Sequence, residues 1–167
     1  NISPEEGLLP AWPDSGPTLL WSYDKCGQGY AGVIIAEDRV FTAGDVDRQS
    51  RLFAFSLEGQ LLWEVPNGQA WRRSSPGARS APTYSGGLLY HLNPLGRLAA
   101  FRAKTGREVW AVDLVERFEG RYGIWGFSEH VVVHEDRVLC MPGGPAGRVV
   151  ALDKRTGATV WANTDIQ

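Results

Sequence analysis

Three histidines and two cysteines are the first side chains with the chemistry to hold a metal or a nucleophile. His130 and His134 stand four residues apart, a ligand spacing if they share a helix face. The three residues between them are valines, and β-branched side chains favour a strand instead. On a strand the two imidazoles lie about 13 Å apart at roughly 3.3 Å per residue, too far to share one ion. Cys140 does not repair that spacing, and His91 is isolated in an apolar run, which reads as a hydrogen-bonded or surface imidazole. Two cysteines, Cys26 and Cys140, are too few for a disulfide framework and leave the redox compartment open. The run Gly143-Gly144-Pro145-Ala146-Gly147 lacks the Lys-Ser/Thr of a phosphate cradle and precedes a β-like run, so it predicts a hairpin loop. Neither a Gly-x-Ser-x-Gly elbow nor a His-Glu-x-x-His or Cys-x-x-Cys pair occurs, so hydrolase and zinc templates find no foothold.

Two connecting segments carry a different kind of chemistry. Residues 66–80 concentrate Trp71, Arg72, Arg73 and Arg79; residues 115–127 carry Arg117, Phe118, Arg121, Tyr122, Trp125 and Phe127. Guanidinium and aromatic groups together suit carboxylates, sugars or protein segments, through bidentate hydrogen bonds and stacking. The competing reading is a solvated loop with its aromatics tucked under the fold. The binding reading expects Trp71, Arg72, Arg73, Arg79, Arg117, Arg121 and Trp125 on one face, around one mouth.

The elements that must position these segments follow from the composition and the repeats. The chain has 167 residues, a formal charge of −2 and a pI near 5.9, without the basic footprint of a general nucleic-acid binder. With 43% hydrophobic and 22% charged residues it reads as a folded chain. Its longest apolar runs are too short to cross a bilayer. Twenty Gly and ten Pro predict dense turns and no long helix. Trp21, Trp63, Trp110 and Trp161 recur every 40 to 50 residues or so, and a turn (Glu37-Asp38, Gly86-Gly87, Glu135-Asp136) keeps step with them. Within each unit four short strands can be read: 31–36, 39–43, 52–56 and 60–64; then 81–84, 88–92, 98–102 and 108–112; then 130–134, 137–141, 149–153 and 159–162. Residues 44–50 read as a polar loop. Four antiparallel strands per unit, with one Trp each, are the mark of a β-propeller blade, whereas an immunoglobulin-like sandwich does not predict the recurring Trp.

The third unit, Ala151-Leu152-Asp153-Lys154-Arg155-Thr156-Gly157-Ala158-Thr159-Val160-Trp161, fits Ala-x-Asp-x-x-Thr-Gly-x-x-x-Trp. It resembles the tryptophan-docking motif of propellers of the pyrroloquinoline quinone (PQQ) repeat type. The second unit keeps Ala100, Thr105, Gly106 and Trp110 with Arg102 in place of Asp; the first keeps Ala54, Gly59 and Trp63, with Ser56 for Asp and a shorter turn. The resemblance extends over nearly the whole chain and is to bacterial PQQ-binding-like, BamB-like repeat proteins. It implies an all-β fold, a partial propeller of about three four-stranded blades plus a leading strand. In such proteins each Trp docks one blade on the next, so Trp21, Trp63, Trp110, Trp161, Gly59, Gly106 and Gly157 are assigned to structure. The implied division is a leading segment at 1–30 with a closing strand at Leu19-Leu20-Trp21, then blades at 31–78, 79–124 and 125–167. Three blades do not close a ring, so the chain reads as the N-terminal part of a larger propeller, less soluble and less cooperative alone than in the whole.

Two functions follow from the resemblance. One is a non-catalytic scaffold of the bacterial envelope or periplasm, binding a protein or small ligand at the channel mouth and packing against the remainder of its own propeller. The other is part of a quinoprotein alcohol or sugar dehydrogenase. Such enzymes hold PQQ and Ca²⁺ with a catalytic Asp and often an adjacent cysteine pair, and this chain has neither such a pair nor a recognisable carboxylate set. No catalytic, cofactor or metal residue is therefore assigned, and PQQ with calcium would need the missing blades.

Overall fold

The computed structural model describes residues 6–7 and 10–165. The remaining positions, including the outermost parts of the leading segment and of the third unit, lie outside the described residues. Twelve strands run in chain order: β1 (Ile34–Ala36), β2 (Arg39–Val46), β3 (Gln49–Ser56), β4 (Leu61–Gln69), β5 (Thr83–Ser85), β6 (Leu88–Leu92), β7 (Arg97–Arg102), β8 (Glu108–Asp113), β9 (Val132–His134), β10 (Arg137–Cys140), β11 (Val149–Asp153) and β12 (Thr159–Asn163). They form three four-stranded antiparallel sheets, each a meander in sequence order. The architecture is all-β, three consecutive propeller blades. The one helix among the described residues, α1 (Leu114–Phe118), was not foreseen. It fits because Asp113 caps it, accepting from Val115 N–H and Glu116 N–H, while Leu114 and Phe118 are buried.

The repeated motif has one structural job. Ala54, Ala100 and Ala151 stand directly across the outer strand pair from Trp63, Trp110 and Trp161, and a register shift follows each alanine. An irregularity at the same place in every sheet re-aims the outer strand, and the small alanine side chain leaves the ring free to turn toward the next blade. The indole then docks in a fixed way. Trp63 Nε1–H donates to Ala103 O at 3.0 Å and Trp110 Nε1–H to Lys154 O at 3.0 Å. A Cβ on Gly106 would lie 2.9 Å from the Trp63 ring, and one on Gly157 would lie 2.7 Å from the Trp110 ring. Both glycines have positive φ, +69° and +72°, so the turn needs glycine for its backbone and for the ring above it. Trp21 does the same to the first blade: Nε1–H donates to Leu57 O at 2.8 Å, and a Gly59 Cβ would lie 2.6 Å from its ring. Residues around Trp21 thus hold an outer-strand position without forming a strand.

The structure moves several predicted boundaries. Residues 44–50 are not a loop: β2 and β3 run through them and reverse at Asp47-Arg48, both with positive φ (47° and 70°). The two-residue turn matches the twist of the strands, here without glycine. The innermost strands begin later than read, at Ile34, Thr83 and Val132. Backbone just ahead of them bonds elsewhere: Tyr30 N–H to Ala78 O, and Ala81 N–H to His130 Nδ1 at 3.2 Å. His130 therefore precedes β9, and His134 is exposed at its far end.

A polar seam joins the first two blades. His91 is fully buried, its Nδ1 2.8 Å from Asn67 Nδ2 and its Nε2 3.2 Å from Ser80 O. These partners fix a neutral ring with the proton on Nε2, since Ser80 O only accepts. Asn67 Oδ1 accepts from Arg97 Nη1 at 2.6 Å, and Asn93 Nδ2 donates to Asn67 O at 2.8 Å. Burial drives the His91 pKa from 6.5 down to about 4.

Two outcomes are expected. Trp110 is 8% exposed and Trp161 41%, so Trp110→Ala should cost about 3–5 kcal/mol and Trp161→Ala roughly 1 kcal/mol or less in this chain; urea midpoints compare them. His91 should make stability pH-dependent. Its folded pKa lies below the unfolded value, so the unfolded chain binds the extra proton between them. The stability His91 contributes is complete above pH 6.5 and falls away toward pH 4, by about 3 kcal/mol in all. A melting-temperature profile of His91→Gln, however low its starting point, should be flatter than wild type across that window.

Candidate functional site

One end of the three sheets gathers every long connection. The β2–β3 turn, the 70–82 connection and the leading segment meet there: Ala70 N–H donates to Arg48 O at 2.9 Å, Tyr30 N–H to Ala78 O at 2.7 Å and Ala78 N–H to Gln28 O at 3.2 Å. Gly77 permits this close approach, because a Cβ there would lie 2.7 Å from the Gly29 Cα. From the second and third sheets, Phe127 N–H donates to Pro94 O at 2.9 Å and Arg121 N–H to Pro142 O at 2.8 Å. Thus the 119–131 connection is laid over the β6–β7 turn and against the loop after β10.

The two arginine-aromatic segments touch. Trp71 and Tyr122 meet edge to face with centroids 5.7 Å apart, and Tyr122 meets Phe127 at 5.5 Å. The Arg73 guanidinium lies 5.6 Å from the Trp71 ring and 5.9 Å from Tyr122, bridging the segments. Arg79 lies 4.9 Å from Tyr30 and 5.8 Å from Trp125. Two guanidiniums alternate with four rings, a cation–π arrangement worth roughly 0.5–1 kcal/mol per contact where exposed.

The structure divides the seven candidate residues. Trp71 is 1% exposed and is the floor of the face rather than its surface; its backbone N–H donates to Asp45 Oδ2 at 2.9 Å and its indole N–H to Ser74 O at 2.9 Å. Arg79 is partly buried and bonds Ser74 O and Ser75 O, holding its own loop. Arg117 donates to Gly157 O at 2.8 Å, which ties α1 to the third blade's turn and takes it out of the cluster. Arg121 is exposed and joins through its backbone. Arg72, Arg73 and Trp125, the last 50% exposed, are left open to solvent. Sequence reasoning missed Tyr30, Asp45 and Arg48. Tyr30 carries no local signal, and the other two were lost in the supposed loop at 44–50.

Burial pushes the Asp45 carboxyl up, opposed by the Trp71 N–H and the nearby Arg79 charge. The Glu129 carboxyl is likewise raised by burial while its Oε1 accepts from Met141 N–H at 2.8 Å. Among the described residues no three His, Cys, Asp or Glu side chains converge as a metal donor set. Cys26 and Cys140 are free thiols, and burial raises both.

The sequence pattern described as outer membrane protein assembly factor BamB, a PQQ-repeat family, matches residues 48–167. The chain belongs to that family. It is 30% identical over 153 residues to the assembly factor BamB of Xanthomonas campestris pv. campestris, covering 89% of this chain and 32% of that protein. It is 33% identical over 90 residues to 1-butanol dehydrogenase (cytochrome c) of Thauera butanivorans, covering 53% of this chain and 13% of the enzyme. Among solved structures, BamB from Moraxella catarrhalis superposes with a TM-score of 0.55 at 22% identity, over 80% of this chain and 36% of that one. A europium-containing methanol dehydrogenase superposes with 0.65 at 18% identity, over 86% and 26%. The structural likenesses concern the fold. The chain spans about a third of the BamB proteins it matches, 32% and 34% of their lengths, and no described helix is long and apolar enough to cross a membrane.

The face separates structure from surface, and stability should follow that line. Trp71→Ala should cost about 3–5 kcal/mol, while Arg72→Ala and Arg73→Ala should stay within about 0.5–1 kcal/mol of wild type, checked by urea unfolding of the three variants.

Proposed function

We propose that this chain is part of a non-catalytic propeller scaffold of the bacterial cell envelope, which presents its arginine-aromatic face to a protein partner and packs against the rest of its own propeller. The blades are assigned to 31–78, 79–124 and 125–167, with 1–30 as the leading segment. One observation carries the reading: two connections far apart in sequence meet on one face, over a buried Trp71, and leave Arg73 and Trp125 exposed. A rigid base with exposed arginine and aromatic side chains has the anatomy of a protein-binding patch. Family membership supports the envelope setting, since the relatives are called outer membrane protein assembly factors.

The second reading is part of a quinoprotein oxidoreductase, favoured by the likeness to the butanol and methanol dehydrogenases. The residues present here do not fit a metal-assisted quinone site. Among the described residues no three His, Cys, Asp or Glu side chains converge, and the two carboxyls that burial raises sit apart in the chain, Asp45 in β2 and Glu129 in the 119–131 connection. Cys26 and Cys140 belong to different blades' surroundings. Such a site would have to come from other segments of a longer protein.

A photo-cross-linking residue at Ile124 of the full-length protein should give a defined protein adduct in cells, and Arg73→Ala with Trp125→Ala should abolish it without shifting the melting temperature by more than a few degrees. Alcohol-dependent dye reduction by the full-length protein after loading with PQQ and Ca²⁺ would overturn the scaffold reading in favour of the second.

A further inference from the structure

The second repeat departs from its neighbours at two places, and the fold brings them together. Where the first and third units turn on Glu37-Asp38 and Glu135-Asp136, the second turns on Gly86-Gly87. Where the third has Asp153 and the first Ser56, the second has Arg102. In each meander the first and last turns share one end of the sheet, opposite the arginine-aromatic face. At that end Gly86, Gly87, Leu88, Arg102 and Val109 line a hollow of about 330 Å³, which Arg155 completes from the β11–β12 turn of the next blade. A Cβ added to Gly86 or Gly87 would meet nothing within 4 Å, so the turn leaves the hollow open.

The equivalent place between the first two blades is an internal comparison. Counted along the repeat, it is built from Glu37, Asp38, Arg39, Ser56, Leu62 and Lys104. Two bases there meet two acids, and Arg39 bonds Glu37 O at 3.0 Å with the Glu37 carboxylate 3.9 Å away. The hollow in the second blade has two bases, no acid on its walls, and Leu88 in the place of Arg39. Arg102 and Arg155 are exposed, and among the described residues neither joins an ion pair. The acids around them are engaged elsewhere. Asp153 attracts Arg155 through space, but its Oδ1 accepts from Arg155 N–H, Thr156 N–H and the Thr156 hydroxyl. Glu108 pairs with Arg97, Asp136 with Lys154, and Glu37 accepts from the Tyr84 hydroxyl. Lys104 and Arg107, exposed on the β7–β8 turn, add to the positive excess.

The lining selects the ligand. Two guanidiniums call for an oxyanion, and Leu88 and Val109 between them call for hydrocarbon. Phosphate sites gather free backbone N–H groups. Here Gly87 N–H goes to Tyr84 Oη at 3.1 Å, and the Arg155 and Thr156 amides go to Asp153. A planar two-oxygen head fits the guanidinium forks without such amides. The volume suits a ligand of a few carbon atoms. We infer that this hollow binds a small organic carboxylate, its head held by Arg102 and Arg155 and its short hydrocarbon body lying on Leu88 and Val109. The site goes beyond the scaffold reading and does not depend on it.

Hexanoate is the probe, titrated into the full-length protein and followed by saturation-transfer NMR. Binding at about millimolar concentration or tighter is expected for so small a ligand. Hexanamide, its neutral counterpart, should bind about tenfold more weakly, and acetate, which lacks the body, about fivefold more weakly. Rewriting the second turn as the first, G86E/G87D, should weaken hexanoate about tenfold. The backbone accepts that change, because Glu37 and Asp38 hold φ of 50° and 55° where Gly86 and Gly87 hold 55° and 82°. R102S/R155S, with an unaltered near-ultraviolet spectrum, should lose hexanoate to the same extent without touching the turn. R72E, on the opposite face, should leave binding unchanged. Equal binding of hexanamide or of acetate, retention of hexanoate by either double variant, or equal loss in R72E would overturn the inference. So would displacement of hexanoate by an equal concentration of inorganic phosphate, the mark of an unselective anion patch.

Discussion

Everything in this chain hangs on an indole laid across a glycine in the next sheet. A four-stranded meander of short strands has two apolar faces and little stability alone. It becomes a folded unit only by stacking against a neighbour, as in any array whose repeats cannot bury themselves. Trp63 and Trp110 make that stacking specific: each ring covers a turn glycine, and its N–H fixes the register to one carbonyl of the following turn. The alanine opposite and the irregularity beside it explain why the motif is spread over eleven residues, since both are needed to turn the ring outward. Trp21 extends the pattern to the leading segment, which is pinned farther along by the Gln28–Asp45 and Gly29–Ala78 bridges.

The polar seam at His91 adds a different constraint. Apolar blade faces could slide past one another at little cost, but Asn67, His91, Asn93, Ser80 and Arg97 must all find partners at once. A buried network of this kind tolerates one relative position of two sheets, because any other leaves polar groups unsatisfied. The neutral histidine is the part of the seam that acid can break.

The rigidity built by these contacts matters for the face at the end of the sheets. Because the blades are locked, their connections can be long without being loose, and they brace one another through bonds such as Phe127 N–H to Pro94 O and Arg121 N–H to Pro142 O. Trp71 and Tyr122 fill the space beneath, so arginines that would otherwise be mobile lie against rings. Loops on a rigid scaffold are where binding is usually found.

By itself, the sequence determined the blade. The recurring Trp, the glycine turns and the short β-like runs set the sheet count and the strand order, because these depend on contacts within about fifty residues that repeat along the chain. It also marked two segments rich in arginine and aromatics. What it left open was decided by tertiary contacts. The turn at Asp47-Arg48 looked like loop because its residues are polar, yet pairing along the whole of β2 and β3 overrides that preference. Which arginines are free was equally invisible: Arg79 and Arg117 resemble Arg72 and Arg73 in sequence, but a carbonyl within reach claims each of the first two. Tyr30 joins the face only because a neighbouring segment lies alongside it. A side chain's type is local, but its availability depends on which unpaired backbone group the fold brings near it, and that is settled only when the sheets pack.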